Sequence, residues 1–163
     1  MLSYFTVAVL FTLPFAVSFG NRKAVERKPV PSLALKDMTG NTFTLEEERG
    51  KVVLLDFWAT WCGPCRTETP WLIELSEKYK GRGLVVLGVS MDDSWSPVKP
   101  YVSKAGISYP ILLGNDSLTA AFGKLNALPV AYFLDRQLRV ADTHTGAGNK
   151  KQFEQIIQNL LSE

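Results

Sequence analysis

Histidine occurs once and cysteine twice in this 163-residue chain, and these scarcities exclude more than any abundance does. A structural zinc site asks for about four ligands, whereas Cys62, Cys65 and His144 are the whole supply of thiol and imidazole groups, so no metal is expected. A disulfide framework is excluded too. A bridge between two cysteines this close closes a loop too short to restrain an unfolded chain much, so its value lies in chemistry. Charge of one sign is also missing. Arg22, Lys23, Arg27 and Lys28 are four of the 18 basic residues, and Glu26 is the one acid of 16 before Pro29; beyond that point 14 basic residues meet 15 acidic ones. No broad basic face remains for a phosphate backbone, and nucleic acid is not expected as a partner.

From Met1 to Gly20 no charged side chain appears, and Tyr4 to Phe19 is mostly Phe, Leu, Val and Ala, close to the length of a bilayer span. Residues 1–20 are therefore expected to be a signal peptide, cleaved after Ser18, or an uncleaved membrane anchor. Either places the rest outside the cytoplasm, in the periplasm, on the outer face of the membrane, or secreted. The basic cluster that follows argues for the opposite orientation by the positive-inside rule, and is outweighed by the hydrophobic run taken with the cysteine pair. Residues 21–32, polar and carrying Pro29 and Pro31, read as a linker. Residues 33–163 then form one domain, the count that this length favours.

Within the domain, Leu33–Lys36 and Thr42–Leu45 bracket a turn-rich Asp37–Asn41, a hairpin signal. Lys51–Trp58 is a continuous apolar run of the length of a strand buried on both faces. From Cys62 to Lys80 the period turns helical, with Pro70 as a kink point and Gly81 as the stop. Leu84–Val89 is a second buried strand, Val98–Lys104 a helix, Pro110–Leu113 an extended piece and Ser117–Leu125 a short helix. Val130–Leu134 and Leu138–Thr143 make a hairpin across Asp135 and Arg136, and a final helix carries Phe153, Ile156, Ile157, Leu160 and Leu161 on one face. This order describes a three-layer α/β domain with a mixed sheet.

Chemistry concentrates where the first buried strand meets the first helix. Cys62 falls at the helix N-terminus, where free N–H groups and the helix dipole favour a thiolate, so it is the expected nucleophile with an exposed sulfur. Cys65, one turn in, is shielded and placed to attack the mixed disulfide. Pro64 is tolerated in the first turn because its missing N–H has no helical acceptor there. Asp56 is an acid inside an apolar strand, costly unless used. Burial raises such a carboxyl, which can then exchange the proton that moves when the disulfide opens. Trp71 and Trp95 read as packing residues and His144 as a surface one.

The stretch Asp56-Phe-Trp-Ala-Thr-Trp-Cys-Gly-Pro-Cys65, with Pro70 five residues on, resembles the active-site region of the thioredoxin superfamily, and the likeness covers nearly everything from about Pro29 onward. The Pro31–Leu45 hairpin and the Asp92–Pro110 insertion resemble its TlpA/ResA-like branch of membrane-tethered or periplasmic thiol-disulfide reductases. The resemblance implies a thioredoxin-like α/β/α fold with an N-terminal β-hairpin extension. It also implies a redox-active Cys62–Cys65 disulfide and reduction of protein disulfides, apocytochromes c included, with no cofactor. The working unit would be a monomer resupplied by a thiol protein of the membrane. Leu128-Pro129-Val130 matches the cis-proline loop, so Leu128 and Pro129, with Trp61, Gly63 and Pro64, are expected to meet substrate. Asp92 or Asp93 matches a second acid of that branch. One position departs: the lysine that pairs with the buried aspartate in thioredoxin is matched by Gly88. A disulfide oxidase or isomerase, or a tethered thiol- or copper-binding domain, stand as alternatives. A peroxidase is disfavoured by Ala59, where that chemistry needs a threonine, and by the lack of proline between Asp56 and Cys62.

Overall fold

The computed structural model describes residues 26–123 and 125–163; the segment expected to be a signal peptide or anchor, residues 1–20, lies outside the described residues. A small antiparallel hairpin, β1 (Ala34–Lys36) and β2 (Thr42–Thr44), precedes a five-stranded sheet. The sheet's order is β5-β4-β3-β6-β7, built from β3 (Val52–Trp58), β4 (Leu84–Ser90), β5 (Ile111–Leu113), β6 (Val130–Leu134) and β7 (Val140–Thr145). Strands β3, β4 and β5 are parallel; β6 and β7 are antiparallel additions, so the sheet is mixed. All seven residues of β3 are buried, as an apolar run in the central strand requires.

Helices cover both faces. On one, α1 (Gly63–Tyr79), α2 (Trp95–Ala105) and α4 (Lys150–Ser162) bring Leu72, Leu75, Val98, Val102, Phe153 and Ile157 against Val52, Leu54 and Trp58 of β3. On the other, Leu118 and Phe122, in and just after α3 (Asp116–Ala121), pack with Leu33 and Leu45 of the hairpin region onto Val53, Leu55 and Phe57. The two sets on β3 differ by one position, the period-two alternation that sends successive side chains to opposite faces.

The boundaries follow local chemistry. Helix α1 continues through Pro70, which stands on its exposed face. Helix α2 begins at Trp95 rather than Val98, because Ser94 caps it by accepting the Ser96 N–H and Pro97 falls in the first turn, where no helical bond is lost. Helix α3 stops at Ala121, short of the expected Leu125, just ahead of Gly123 at φ +76°. Strand β7 starts late because Leu138 adopts φ +60° in the turn after Asp135.

That turn also holds the start of the described chain. Asp135, buried, accepts the Gln137 and Arg139 N–H groups at 2.9 and 3.0 Å and faces the guanidinium groups of Arg139 and Arg27. Residues 28–30, expected within the linker, are bonded alongside the turn and β7: Val140 N–H donates to Lys28 O and Val30 N–H to Leu138 O. Burial pushes the Asp135 carboxyl up, but the Arg139 guanidinium and N–H, then Arg27, outweigh it and hold it below the ordinary range. A depressed carboxyl stabilises the fold above its unfolded pKa, about 3.9, and loses that contribution as pH falls through the folded value. Asp135→Ala is expected to lower stability to urea by about 1–3 kcal/mol at pH 7, with the deficit shrinking as melts are repeated toward pH 3.

Candidate active site

β3 delivers the chain straight into the cysteine pair. After Trp58 a tight turn, in which Cys62 N–H donates to Ala59 O at 3.1 Å, brings Cys62 to the N-cap of α1. Cys62 and Cys65 are joined by a disulfide, with Cα atoms 5.3 Å apart, and the Cys62 sulfur accepts the Cys65 N–H at 3.2 Å. The exposed Cys62 sulfur expected from the sequence is not what the oxidised form presents: Cys62 is 5 % and Cys65 3 % exposed. The reason is local, since the Cys62 sulfur is turned inward onto Cys65 by both the covalent bond and the hydrogen bond.

Asp56 points to the same face of β3 as Leu54 and Trp58, whose core cluster includes both cysteines. It is 4 % exposed and its Oδ1 has no hydrogen-bond partner among the described residues. Across the ladder it sits between Gly88 on β4 and Ala131 on β6. A Cβ at Gly88 would lie 2.6 Å from Ile111 Cδ1 and 2.9 Å from Trp58 Nε1, so this position has no room for a cation-bearing side chain. Burial therefore pushes the Asp56 carboxyl well above the ordinary range, and the nearby charge of Glu68 pushes it the same way.

Glu68 is the site residue that sequence reasoning missed. It lies three residues after Cys65 on the inner stripe of α1, 2 % exposed, and its Oε1 accepts the Gly148 N–H from the turn between β7 and α4. Burial raises its carboxyl, opposed by the Gly148 N–H and by His144. Tyr109, also buried, lies against Gly88, the cross-strand neighbour of Asp56, and its hydroxyl is raised by burial and then by the charges of Asp56, Tyr101 and Glu68. His144, expected at the surface, is half-buried, its ring edge-on to Phe153 at 5.3 Å. Trp71 packs edge-on against the same Phe153 ring at 5.0 Å.

The two candidate acids after β4 separate. Asp93 is exposed, whereas Asp92 is buried and accepts three bonds: Thr60 N–H at 2.9 Å, Thr60 Oγ1–H at 2.6 Å and Ser90 Oγ–H at 2.7 Å. These bonds clamp the backbone just before the cysteines to the end of β4. On the opposite flank the Leu128–Pro129 peptide is cis and Pro129 is buried. Between Trp61 and the stretch leading into this loop, Trp61, Met91, Leu125 and Leu128 line a mainly apolar groove of about 380 Å³, and Trp61 is 69 % exposed. Gly63 and Pro64 are exposed on the outer surface of the first turn.

The sequence profile of the AhpC/TSA family matches residues 27–143. Thiol-disulfide oxidoreductase ResA of Geobacillus thermodenitrificans is 30 % identical over 160 residues, covering 98 % of this chain and 87 % of that protein. The crystal structure of a thiol:disulfide interchange protein of the thioredoxin family from Chlorobium tepidum superimposes with a TM-score of 0.78 at 27 % identity, over 85 % of this chain and 99 % of that one. A secreted thiol-disulfide isomerase from Corynebacterium glutamicum gives 0.75 at 26 %, over 82 % and 86 %.

A carboxyl raised by burial binds its proton more tightly folded than unfolded, so it costs stability as pH rises from the unfolded value, about 3.9, toward the raised one. Asp56→Asn, which cannot ionise, is expected to match the wild type near pH 4 and to unfold at increasingly higher denaturant than wild type as pH is raised to 8. Equal midpoints across that range would mean that Asp56 is not held protonated by the fold.

Proposed function

The chain belongs to the AhpC/TSA family, and as a thiol-disulfide oxidoreductase within it, we propose, it reduces protein disulfides outside the cytoplasm through Cys62 and Cys65. The observation that carries the direction is the buried acid pair, Asp56 on the sheet face that packs against the dithiol and Glu68 on the inner stripe of α1 with Cys65. A strong disulfide donor owes its oxidising power to a stabilised reduced form. Here burial holds both carboxyls toward their uncharged form and no cation faces Asp56 among the described residues, so beyond the helix N-terminus nothing described there stabilises a Cys62 thiolate, the reduced form gains little, and the dithiol gives electrons up readily.

In the reduced form the Cys62 thiolate attacks one sulfur of a client disulfide. A mixed disulfide forms and the client's other sulfur leaves as a thiolate, which takes a proton. Asp56, protonated at rest, supplies that proton and, once ionised, accepts the Cys65 proton; the Cys65 thiolate attacks Cys62, and the second client sulfur departs as a thiolate that takes a proton from solvent. Two electrons have moved to the client and Cys62–Cys65 is oxidised. A carboxyl raised by burial holds a proton that it can give up and take back as the disulfide opens and closes. Glu68, next to it in charge, is assigned the same proton store. Asp92 is assigned a positioning role through Thr60, and Asp93 none.

The client's extended segment is assigned to the groove between Trp61 and Leu128–Pro129, with an apolar residue of the client in the space lined by Met91 and Leu125. Gly63 and Pro64, exposed on the first turn of α1, are assigned to meet the client next to Cys62. Residues 1–20 are assigned to export or anchoring and residues 33–163 to the catalytic domain. The uncharged N-terminal run and the likeness to a secreted isomerase support a site of action outside the cytoplasm. A membrane thiol protein is assigned as electron donor, and the chain as a monomer. An isomerase has less support, because it must hold mixed disulfides that a buried, adjacent Cys65 resolves at once.

Trapping tests the assignment. Cys65→Ser, reduced and mixed with a disulfide-bearing protein, is expected to accumulate a covalent adduct through Cys62 that dithiothreitol releases. Cys62→Ser is expected to give none. Adducts formed through Cys65 with equal yield would contradict this division of roles between the two cysteines.

A further inference from the structure

His144 and Glu68 do not touch the same atom, yet both bond the same peptide unit. The Ala147 carbonyl oxygen lies 3.3 Å from His144 Nε2, and the Gly148 N–H of that same peptide bond donates to Glu68 Oε1. A carbonyl oxygen only accepts, so Nε2 carries the hydrogen and donates. The bonds therefore run in one direction: His144 Nε2–H to Ala147 C=O, then Gly148 N–H to the Glu68 carboxyl. Polarising the carbonyl at one end strengthens the N–H donor at the other, and an imidazolium polarises more than a neutral ring.

The packing holds this chain in place. A Cβ at Gly148 would meet Phe153 Cε1 at 2.7 Å, Phe153 Cζ at 2.8 Å and Glu68 Oε1 at 3.1 Å, so only glycine lets the peptide come this close to ring and carboxyl. Phe153 in turn packs edge-on against the His144 ring, fixing its plane. In the sheet, His144 is opposite Ala131, which is opposite Asp56, so the histidine closes at the sheet edge the row in which the buried aspartate lies. The same turn reaches the client loop, since Gly146 N–H donates to Pro129 O at 2.8 Å.

We propose that His144 is a positioning residue for Glu68, acting through the Ala147–Gly148 peptide to set how firmly the Gly148 N–H holds the Glu68 carboxylate. His144 is thereby the solvent-facing end of the acid pair. The proposal rests on the assignment of Glu68 to the proton store. The other titratable groups around this cluster are Asp56 on β3, Tyr109 ahead of β5, Asp142 on β7, and Lys150 at the start of α4, which is paired with Glu74 on α1. None of them bonds the Ala147–Gly148 peptide.

The test reads Glu68 directly. In the full chain labelled with 13C-glutamate, the Glu68 carboxyl carbon is titrated in wild type, His144→Phe, which keeps a ring against Phe153 and removes the donor, and His144→Gln, which keeps an N–H without the charge. Proton affinity of Glu68 is expected to rise about threefold or more in His144→Phe, about half a pH unit, and by less in His144→Gln. The pH profile of Cys62 alkylation by iodoacetamide is expected to move with it, and not to move on His144 substitution in a Glu68→Gln background. An unchanged Glu68 titration in both variants overturns the proposal, as does an alkylation shift that persists without Glu68. If Glu68 titrates as expected while Glu68→Gln exchanges disulfides at the wild-type rate, the coupling is upheld and the role of Glu68 in the proton store falls instead.

Discussion

A carboxyl with no countercharge among the described residues, sealed in the central strand on the sheet face that packs against the disulfide, is the constraint around which this protein is arranged. Asp56 occupies a strand whose seven residues are all buried, and its neighbour on β4 is a glycine with no room for a side chain. Trp58, Ile111 and Tyr109 fill the space a cation would need. Ionising Asp56 there is costly, so the protein carries a proton at the site rather than a salt bridge. Glu68 deepens the effect, since two carboxyls near one another disfavour a second negative charge. The cysteine pair thus works near acids held toward their uncharged form, with the N-terminus of α1 as the feature that favours a thiolate.

Four segments converge on that background, each held by a bond that is local and identifiable. Asp92 clamps the turn before Cys62 to the end of β4. The first turn of α1 is closed by Cys62 itself as the capping residue. The Pro129 loop closes the opposite flank, and the turn between β7 and α4 ties that loop to the buried Glu68 through Gly146 and Gly148. A reaction that opens and closes a sulfur–sulfur bond needs its proton carriers and its client groove kept in register, and these contacts provide it without a metal or cofactor in the proposed steps.

Much of this arrangement is legible in the residues. The cysteine pair, the apolar strand with a lone acid, and the helix following are one-dimensional signals, and the mixed sheet follows from the order of short apolar runs. Glu68 escapes such a reading, although a signal exists: it stands with Cys65, Thr69, Leu72, Leu75, Ser76 and Tyr79 on the inner stripe of α1, where a charged residue at helical spacing is out of place. His144 is misplaced by sequence because a polar strand at a sheet edge reads as exposed, and only tertiary packing brings Phe153 of α4 over it. Asp92 and Asp93 are adjacent and alike in sequence; which one turns inward depends on the Thr60 turn arriving beside β4, a contact 32 positions away. The inward-turned Cys62 sulfur likewise reflects a bond state that composition does not carry.

The central claim is that the Cys62–Cys65 couple is a donor of electrons, and its equilibrium reduction potential tests that most directly. The full chain is equilibrated in dithiothreitol buffers and the dithiol fraction counted by thiol labelling, with Cys65→Ser as the control for single-thiol reactivity. A reversible two-electron couple near the thioredoxin value of about −270 mV is predicted. A couple near about −120 mV, the range of a strong disulfide donor, would contradict the account, and so would the absence of any reversible couple.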